Sequence, residues 1–242
     1  MPNYFYNGRS LTEGELDAVL DADRKTHASD DRLQKTARLI QGKRVLEVGC
    51  AGGIIINYFA RMHPDWKFTG TDILSESIRI ANEKHKLPNT VFETRDLLKK
   101  RFPKNSFDCI LFLEVIEHVS NPGEFLKEFH NILSPGGCLI ISTPNAVSSQ
   151  NIARHFGQNI SSRVKQIMSE PANTGTHLDH VAAYDVFTLT RLLERSGFSY
   201  KEHKYARFTL PLSRSKWVSL DFLSNVLKPL SDDLIVKAVK RS

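Results

Sequence analysis

The sequence predicts an α/β protein built on an open, mostly parallel seven-stranded sheet, with helices on both faces and the last strand antiparallel. Three observations carry this expectation. Val45 to Gly53, V-L-E-V-G-C-A-G-G, reads as a buried strand running into a glycine-rich turn and then a helix. Strands and helices alternate from residue 43 to 145 in the rhythm of β-α-β units. An acidic residue, Asp72, closes the second strand about twenty residues beyond the turn, the spacing at which a carboxylate meets a ribose in doubly wound sheets.

Taken in order, residues 1–42 are polar with helical periodicity. Leu16, Val19 and Leu20 form one short apolar face, and Leu33, Ala37 and Ile40 another, with Gly42 ending the second helix. This segment is read as a helical cap over the sheet. After the glycine turn, Ile54 to Ala60 continues as an apolar helix whose free N-terminal amides favour a negative group. Lys67 to Thr71 is the second strand, Ser75 to Lys84 a helix, and Val91 to Thr94 a third strand that delivers Asp96 and Leu97. Phe107 to Leu113 is the fourth strand, with Glu114, Val115, Ile116, Glu117 and His118 at its C-terminal end, where open α/β sheets place their ligands. Pro122 to Leu133 reads as a helix, Ser134 to Gly137 as a turn, and Cys138 to Ser142 as a fifth strand closing on Thr143-Pro144-Asn145.

Residues 146–180 break the rhythm as a long insertion carrying Arg154, His155, Arg163 and Lys165, of a length that in ordered proteins is usually functional. Tyr184 to Gly197 returns to a helix, followed by strands near Phe198 to Tyr205 and Asp233 to Val239, the second expected as an antiparallel edge strand. Between them Val218, Phe222, Leu223, Val226, Leu227 and Leu230 fall at helical spacing, flanked by Arg214, Lys216 and Lys228. That amphipathic stripe fits either a membrane-surface helix or one packed on its own domain or a dimer partner.

At 242 residues the chain suits one domain: a cap (1–42), a core (43–145), a lid (146–180) and a C-terminal half of the sheet (181–242). A net charge of +6 permits an anionic partner without requiring one. Cys50, Cys109 and Cys138 are widely spaced in apolar stretches, which argues for buried small hydrophobes and against a disulfide framework or zinc site. Met1 to Ser10 lacks the apolar core of a signal peptide, and no run approaches the ~18 residues of a membrane span, so the cytoplasm is the expected location.

A dinucleotide fingerprint would place glycines at the first, third and sixth positions of the turn, where this chain has Gly49, Ala51 and Ile54. The stretch E-x-G-x-x-G-G instead resembles the first motif of class I methyltransferases that use S-adenosylmethionine, with Ala51 where that family usually has glycine. The ordered set of this motif, Asp72, Asp96, E-x-x-E-H, S-P-G-G and T-P-N is similar to that family across residues 43–145. The resemblance implies a Rossmann-like class I methyltransferase fold. It implies a cofactor site lined by Glu47, Gly49, Gly53, Asp72, Ile73, Asp96, Leu97 and Glu114, with Arg32 within reach of the cofactor carboxylate.

His118 is the natural general base, because histidine accepts a proton near neutrality. Glu114, Glu117 and His118 lie at i, i+3 and i+4, so a helical turn would let them converge, and His177 and His180 follow in H-L-D-H. Glu114, Glu117, His118 and His180 would then form a site for a divalent ion such as Mg²⁺ or Mn²⁺. This constellation resembles ubiquinone-biosynthesis O-methyltransferases, where G-T-H matches Gly175 to His177, and less closely small-RNA 3′-terminal 2′-O-methyltransferases, where H-x-D-H matches His177 to His180. The expected activity is O-methylation of a small molecule: a quinone precursor, sugar or lipid-linked intermediate. RNA as acceptor and a non-catalytic cofactor-binding subunit are the alternatives; no dense arginine and lysine patch with interleaved aromatics favours RNA.

Overall fold

The computed structural model describes residues 4–6, 9–11, 30–157, 165, 168, 180–211 and 217–241. The main sheet has seven strands: β1 (Arg44–Val48), β2 (Lys67–Asp72), β3 (Thr90–Thr94), β4 (Phe107–Leu113), β5 (Leu133–Pro144), β6 (Phe198–Ala206) and β7 (Asp233–Lys240). Their spatial order is β3-β2-β1-β4-β5-β7-β6, with the chain reversing direction across the sheet between β1 and β4. Neighbours pair in parallel except β7, which is antiparallel to both β5 and β6.

That arrangement corrects one expectation. Strand β7 is antiparallel but is not at the edge; β6 is. Leu234, Ile235, Val236 and Ala238 are completely buried, the continuous apolar run of a strand covered on both faces. Strand β6, by contrast, carries Lys201, Glu202 and Lys204, charges of the kind that keep an exposed edge from pairing with another chain. A second difference lies in Ser134 to Gly137, which falls within β5 instead of forming a separate turn. Phe107 pairs with Leu133 and Cys109 with Cys138, so residues 134–137 are taken up as an irregularity in the β4–β5 ladder.

Six helices are labelled: α1 (Asp31–Ala37), α2 (Ile54–Met62), α3 (Ser75–Lys84), α4 (Pro122–Ile132), α5 (Ser149–Gly157) and α6 (Val186–Arg195). One face of the sheet packs Leu126, Phe129, Leu189 and Leu193 of α4 and α6 against β4, β5 and β7. The other packs Leu33, Phe59 and Ile78 of α1, α2 and α3 with Cys109 and Cys138, and all three cysteines are free and buried. Helix α1 is capped by the Asp30 carboxylate, which accepts from Arg32 N and Leu33 N. It ends at Ala37, before the expected Gly42, and Lys35 Nζ donates to the Tyr205 carbonyl at 2.8 Å, tying the cap to the C-terminal end of β6. Leu16, Val19 and Leu20 lie outside the described residues.

The stripe expected as a helix over 217–230 is instead a short strand, Trp217–Ser219, paired with Thr209–Pro211, followed by 3-10 turns at Asp221–Asn225 and Lys228–Leu230. The Asp221 carboxylate accepts from Phe208 N at 3.2 Å and from Ser219 Oγ, and Pro229 lacks the N–H that an α-helix needs. Of the insertion, residues 146–157, 165, 168 and 180 are described; Arg163 and Gly175 to His177 lie outside the described residues, as do Arg214 and Lys216. No helix among the described residues is long and apolar enough to cross a membrane.

Gly53 is where the turn depends on glycine. Its φ is +78°, and an added Cβ would stand 2.6 Å from Phe92 Cε1 and 2.9 Å from Ala81 Cβ. Gly53→Ala combines left-handed strain with overpacking, so chemical denaturation is expected to show a loss of about 3 kcal/mol. A change below about 1 kcal/mol would contradict this geometry.

Candidate active site

The site forms at the C-terminal ends of β1, β2 and β4, where the parallel strands open. Gly49 N and Cys50 N both donate to the Thr71 carbonyl, fastening the glycine turn to β2. Asp72 follows as the last residue of β2; its Oδ2 accepts from Ala51 N at 2.9 Å and its Oδ1 from Leu74 N at 2.9 Å. Ala51 has φ +44°, so the residue that replaces the family's glycine sits in the left-handed region, held there by Asp72. Ile73 is 71% exposed beside that carboxylate, an apolar surface open to a flat ring. On the far side, His85 Nδ1 lies 2.6 Å from the Gly52 carbonyl; a carbonyl only accepts, so Nδ1 carries the proton. Asn57 Nδ2 donates to the His85 carbonyl, closing a clasp from α2 through the end of α3 to the turn.

Glu47 is fully enclosed, and burial pushes its carboxyl up to about 8 despite the attraction of Arg32 and a hydrogen bond from Ile56 N. Its Oε2 makes no hydrogen bond among the described residues. Arg32, from α1, is also buried; burial opposes its charge, but Glu114 and then Asp233 outweigh that and hold it protonated. Arg32 Nη1 lies 3.0 Å from Glu114 Oε1, yet neither Nε nor Nη1 has a hydrogen-bonding partner among the described residues. Asp96 pairs with Lys99 at 2.9 Å, and Leu97 is buried in the core under the rim. Arg95 donates to Glu93 and to the Lys100 carbonyl and stacks over Phe102, locking the loop that presents both.

The expected convergence of Glu114, Glu117 and His118 is only partly realised. The 3-10 turn begins at Ile116, and Glu114 precedes it with φ +55°, so it does not share a helical face with the other two. Glu114 Oε1 instead accepts from Ser142 Oγ at 2.7 Å and faces Arg32. Glu117, His118 and His180 do come together, with one potential ligand atom from each lying within 4.8 Å of the others. Glu117 is buried and its carboxyl is pushed up to about 8, first by burial and then by Glu114. Thr143 Oγ1 donates to Glu117 Oε2 at 3.1 Å, while Val181 N donates to the Glu117 carbonyl at 2.8 Å and so brings the His180 segment to the site. Asn145, also buried, clasps the Pro229 and Ser231 carbonyls, so T-P-N serves to fasten the end of β5.

Residues 20–203 match the methyltransferase-domain family. The chain belongs to that family. The methyltransferase-domain chain is 34% identical over 124 residues to the mitochondrial ubiquinone biosynthesis O-methyltransferase of Arabidopsis thaliana, covering 49% of this chain and 37% of that protein. It is 27% identical over 206 residues to a ubiquinone biosynthesis O-methyltransferase of Psychrobacter arcticus, covering 81% of this chain and 76% of that one. Thus the chain spans little more than a third of the plant relative and about three quarters of the bacterial one. In structure it is similar to an S-adenosylmethionine-dependent methyltransferase from Mesorhizobium loti, with a TM-score of 0.57, 17% identity, and 85% of this chain and 96% of that one covered. These likenesses establish the Rossmann-like methyltransferase fold, and membership of the methyltransferase-domain family implies S-adenosylmethionine as cofactor.

The residues fit that cofactor. Its methionyl end carries a carboxylate and an ammonium, and the site holds their complements: buried Arg32, ion-paired with Glu114 but with an Nε that makes no hydrogen bond among the described residues, and a buried Glu47 oxygen that makes none either. Asp72 retains free lone pairs beyond the two backbone amides it accepts, as a ribose diol requires. The sequence displayed Arg32 without showing that α1 buries it beside Glu114; Ser142 and His85 carried no motif and emerged only from packing.

The raised carboxyls set a pH dependence in the cofactor-free, chelator-treated protein. Glu47 and Glu117 titrate near 8 when folded against an ordinary 4.5, so the folded state holds protons that the unfolded chain has released. Stability from these groups therefore falls as pH rises from about 4.5 to about 8, by up to about 1.4 kcal/mol per pH unit for each, and levels off above. Denaturation midpoints at pH 6 and 8 check this, and Glu47→Gln is expected to flatten the profile.

Proposed function

We propose that this protein transfers the methyl group of S-adenosylmethionine to an oxygen of a small hydroxylated acceptor, of the kind a quinone precursor, sugar or lipid-linked intermediate presents. The observation carrying this reading is the grouping of Glu117, His118 and His180, with buried Arg32 near enough to act on both Glu117 and Glu47. The O-methyltransferase relatives support it. The sulfonium of the donor already makes its methyl group electrophilic, so the protein has to align an acceptor oxygen and remove its proton. Exposed His118 is positioned to take that proton, with His180 against it at a ring separation of 4.7 Å.

One carboxylate and two imidazoles also suit a divalent ion, Mn²⁺ better than the oxygen-preferring Mg²⁺. Such an ion would lower the pKa of an acceptor hydroxyl. Glu117 and the two histidines would hold it, Thr143 would orient the carboxylate, and a neighbouring positive charge would favour the ionised form of Glu117.

The test is release of S-adenosylhomocysteine with catechol-type phenols, with and without chelator and added Mn²⁺, after calorimetric titration of S-adenosylmethionine. Turnover that chelator suppresses and Mn²⁺ restores supports both parts. Turnover indifferent to chelator keeps the transferase and removes the metal, and failure to bind S-adenosylmethionine removes the whole reading.

A further inference from the structure

Away from the cofactor pocket, a cavity of about 990 Å³ opens between α6, the edge strand β6 and the turn around Lys228. Its floor is aromatic: Tyr200, His203 and Tyr205 all line it. A bulge in β6 makes this possible, because Glu202 pairs with Lys237 and Tyr200 with Ala238, leaving Lys201 as the extra residue. Tyr200 is thereby brought to the face that holds His203 and Tyr205. The polar tips are turned on each other, with Tyr200 Oη 2.7 Å from His203 Nδ1, so the floor presents largely apolar surface.

The rim carries the directional information. Phe187 is 81% exposed, Val226 72% and, on the adjoining 3-10 turn, Phe222 69%, while Leu227 and Leu230 are also exposed. The two acids at the cavity are engaged: Asp185 caps α6 by accepting from Thr188 N, and Glu194 accepts from Tyr200 N and pairs with Arg241. The two cations, Arg191 and Lys228, have no ion pair or hydrogen bond of their side chains among the described residues. An apolar surface whose acids are spent and whose cations are available is complementary to an anionic, apolar partner.

We propose that this face docks on an anionic lipid bilayer, with Phe187, Phe222 and Val226 entering the headgroup boundary and Arg191 and Lys228 meeting lipid phosphates. A bilayer fits better than a dissolved amphiphile, because a molecule confined to the groove would leave in water Phe222, which belongs to the turn capped by Val226 but does not line the cavity. The cavity also adjoins the segment that leads away from His180: Asp185, which lines it, follows Tyr184, whose backbone pairs with Asn145 beside the end of β5. Resting on the transferase reading, the surface would admit a lipid-linked acceptor from the membrane side.

The experiment is flotation of the full chain with phosphatidylcholine vesicles, with and without phosphatidylglycerol. Binding is expected to the anionic vesicles, weakening as salt rises. Phe187→Ser with Phe222→Ser and Val226→Ser, and separately Arg191→Gln with Lys228→Gln, are each expected to reduce it about tenfold or more. Thermal midpoint and S-adenosylmethionine affinity should stay unchanged; the charge pair tests the idea even where the apolar triple fails to fold. Wild type that ignores anionic vesicles, or a charge pair that binds as wild type does, overturns the proposal. Saturation by dispersed short-chain phosphatidylglycerol without vesicle binding overturns it in favour of a dissolved ligand. Flotation needs no cofactor, so failure of the transferase reading would appear separately, in calorimetry without lipid.

Discussion

Asp72→Ala is expected to weaken S-adenosylmethionine binding by two orders of magnitude or more, as read by calorimetry. A carboxylate accepting from two ribose hydroxyls contributes roughly 1.5 to 3 kcal/mol per charge-assisted bond, and about 1.4 kcal/mol is tenfold. Asp72 also holds Ala51 N and Leu74 N, so the substitution removes support from a left-handed alanine. Adding Ala51→Gly separates the two effects. Glycine adopts the same turn without strain, so the double variant should recover stability but not affinity. If Ala51→Gly restored affinity as well, Asp72 would be only a brace for the turn.

Glu117→Gln is expected to cut turnover by about 10² to 10³ while leaving S-adenosylmethionine affinity within about threefold. Glu117 is the buried member of the trio, and its carboxyl reaches His118 and His180 from beneath while Thr143 fixes one oxygen. The pH dependence of Mn²⁺ binding supplies the second measurement. With the Glu117 carboxyl pushed up to about 8, wild-type affinity should rise with pH until that carboxyl is ionised, whereas Glu117→Gln should lack that component. Unchanged turnover in Glu117→Gln would leave His118 acting alone. His180→Ala adds an independent check, because it leaves the buried carboxyl in place.

The strand-turn-helix around Gly49 to Gly53, the carboxylate ending β2 and the segment after β4 were legible because each rests on local rules. A buried parallel strand needs consecutive apolar residues, a tight turn needs glycine, and strand ends carry the ligand groups. The stripe over 217–230 shows the limit of periodicity: helical spacing was present, but Pro229 and the Asp221 hydrogen bonds broke the segment into a strand and two 3-10 turns. The position of β7 was equally invisible, since the order of strands in a sheet is decided by contacts between segments distant in the chain.

Local sequence by itself determined the fold class, the cofactor turn and the residue types available for chemistry, because backbone preference and hydrophobic pattern act over a few neighbouring residues. Tertiary structure alone decided their partners. It sent Glu114 to Arg32 and Ser142, because a left-handed residue ahead of the 3-10 turn falls outside the helical spacing that the sequence implied. It brought His180 to Glu117 and His118 through the bond from the neighbouring Val181 N to the Glu117 carbonyl, although 62 residues separate positions 117 and 180. Burial then changed what the acids can do: Glu47 and Glu117 have the same side chain as any surface glutamate, and low-dielectric surroundings first, with the neighbouring Asp72 and Glu114 carboxylates adding to them, raise their carboxyls to about 8.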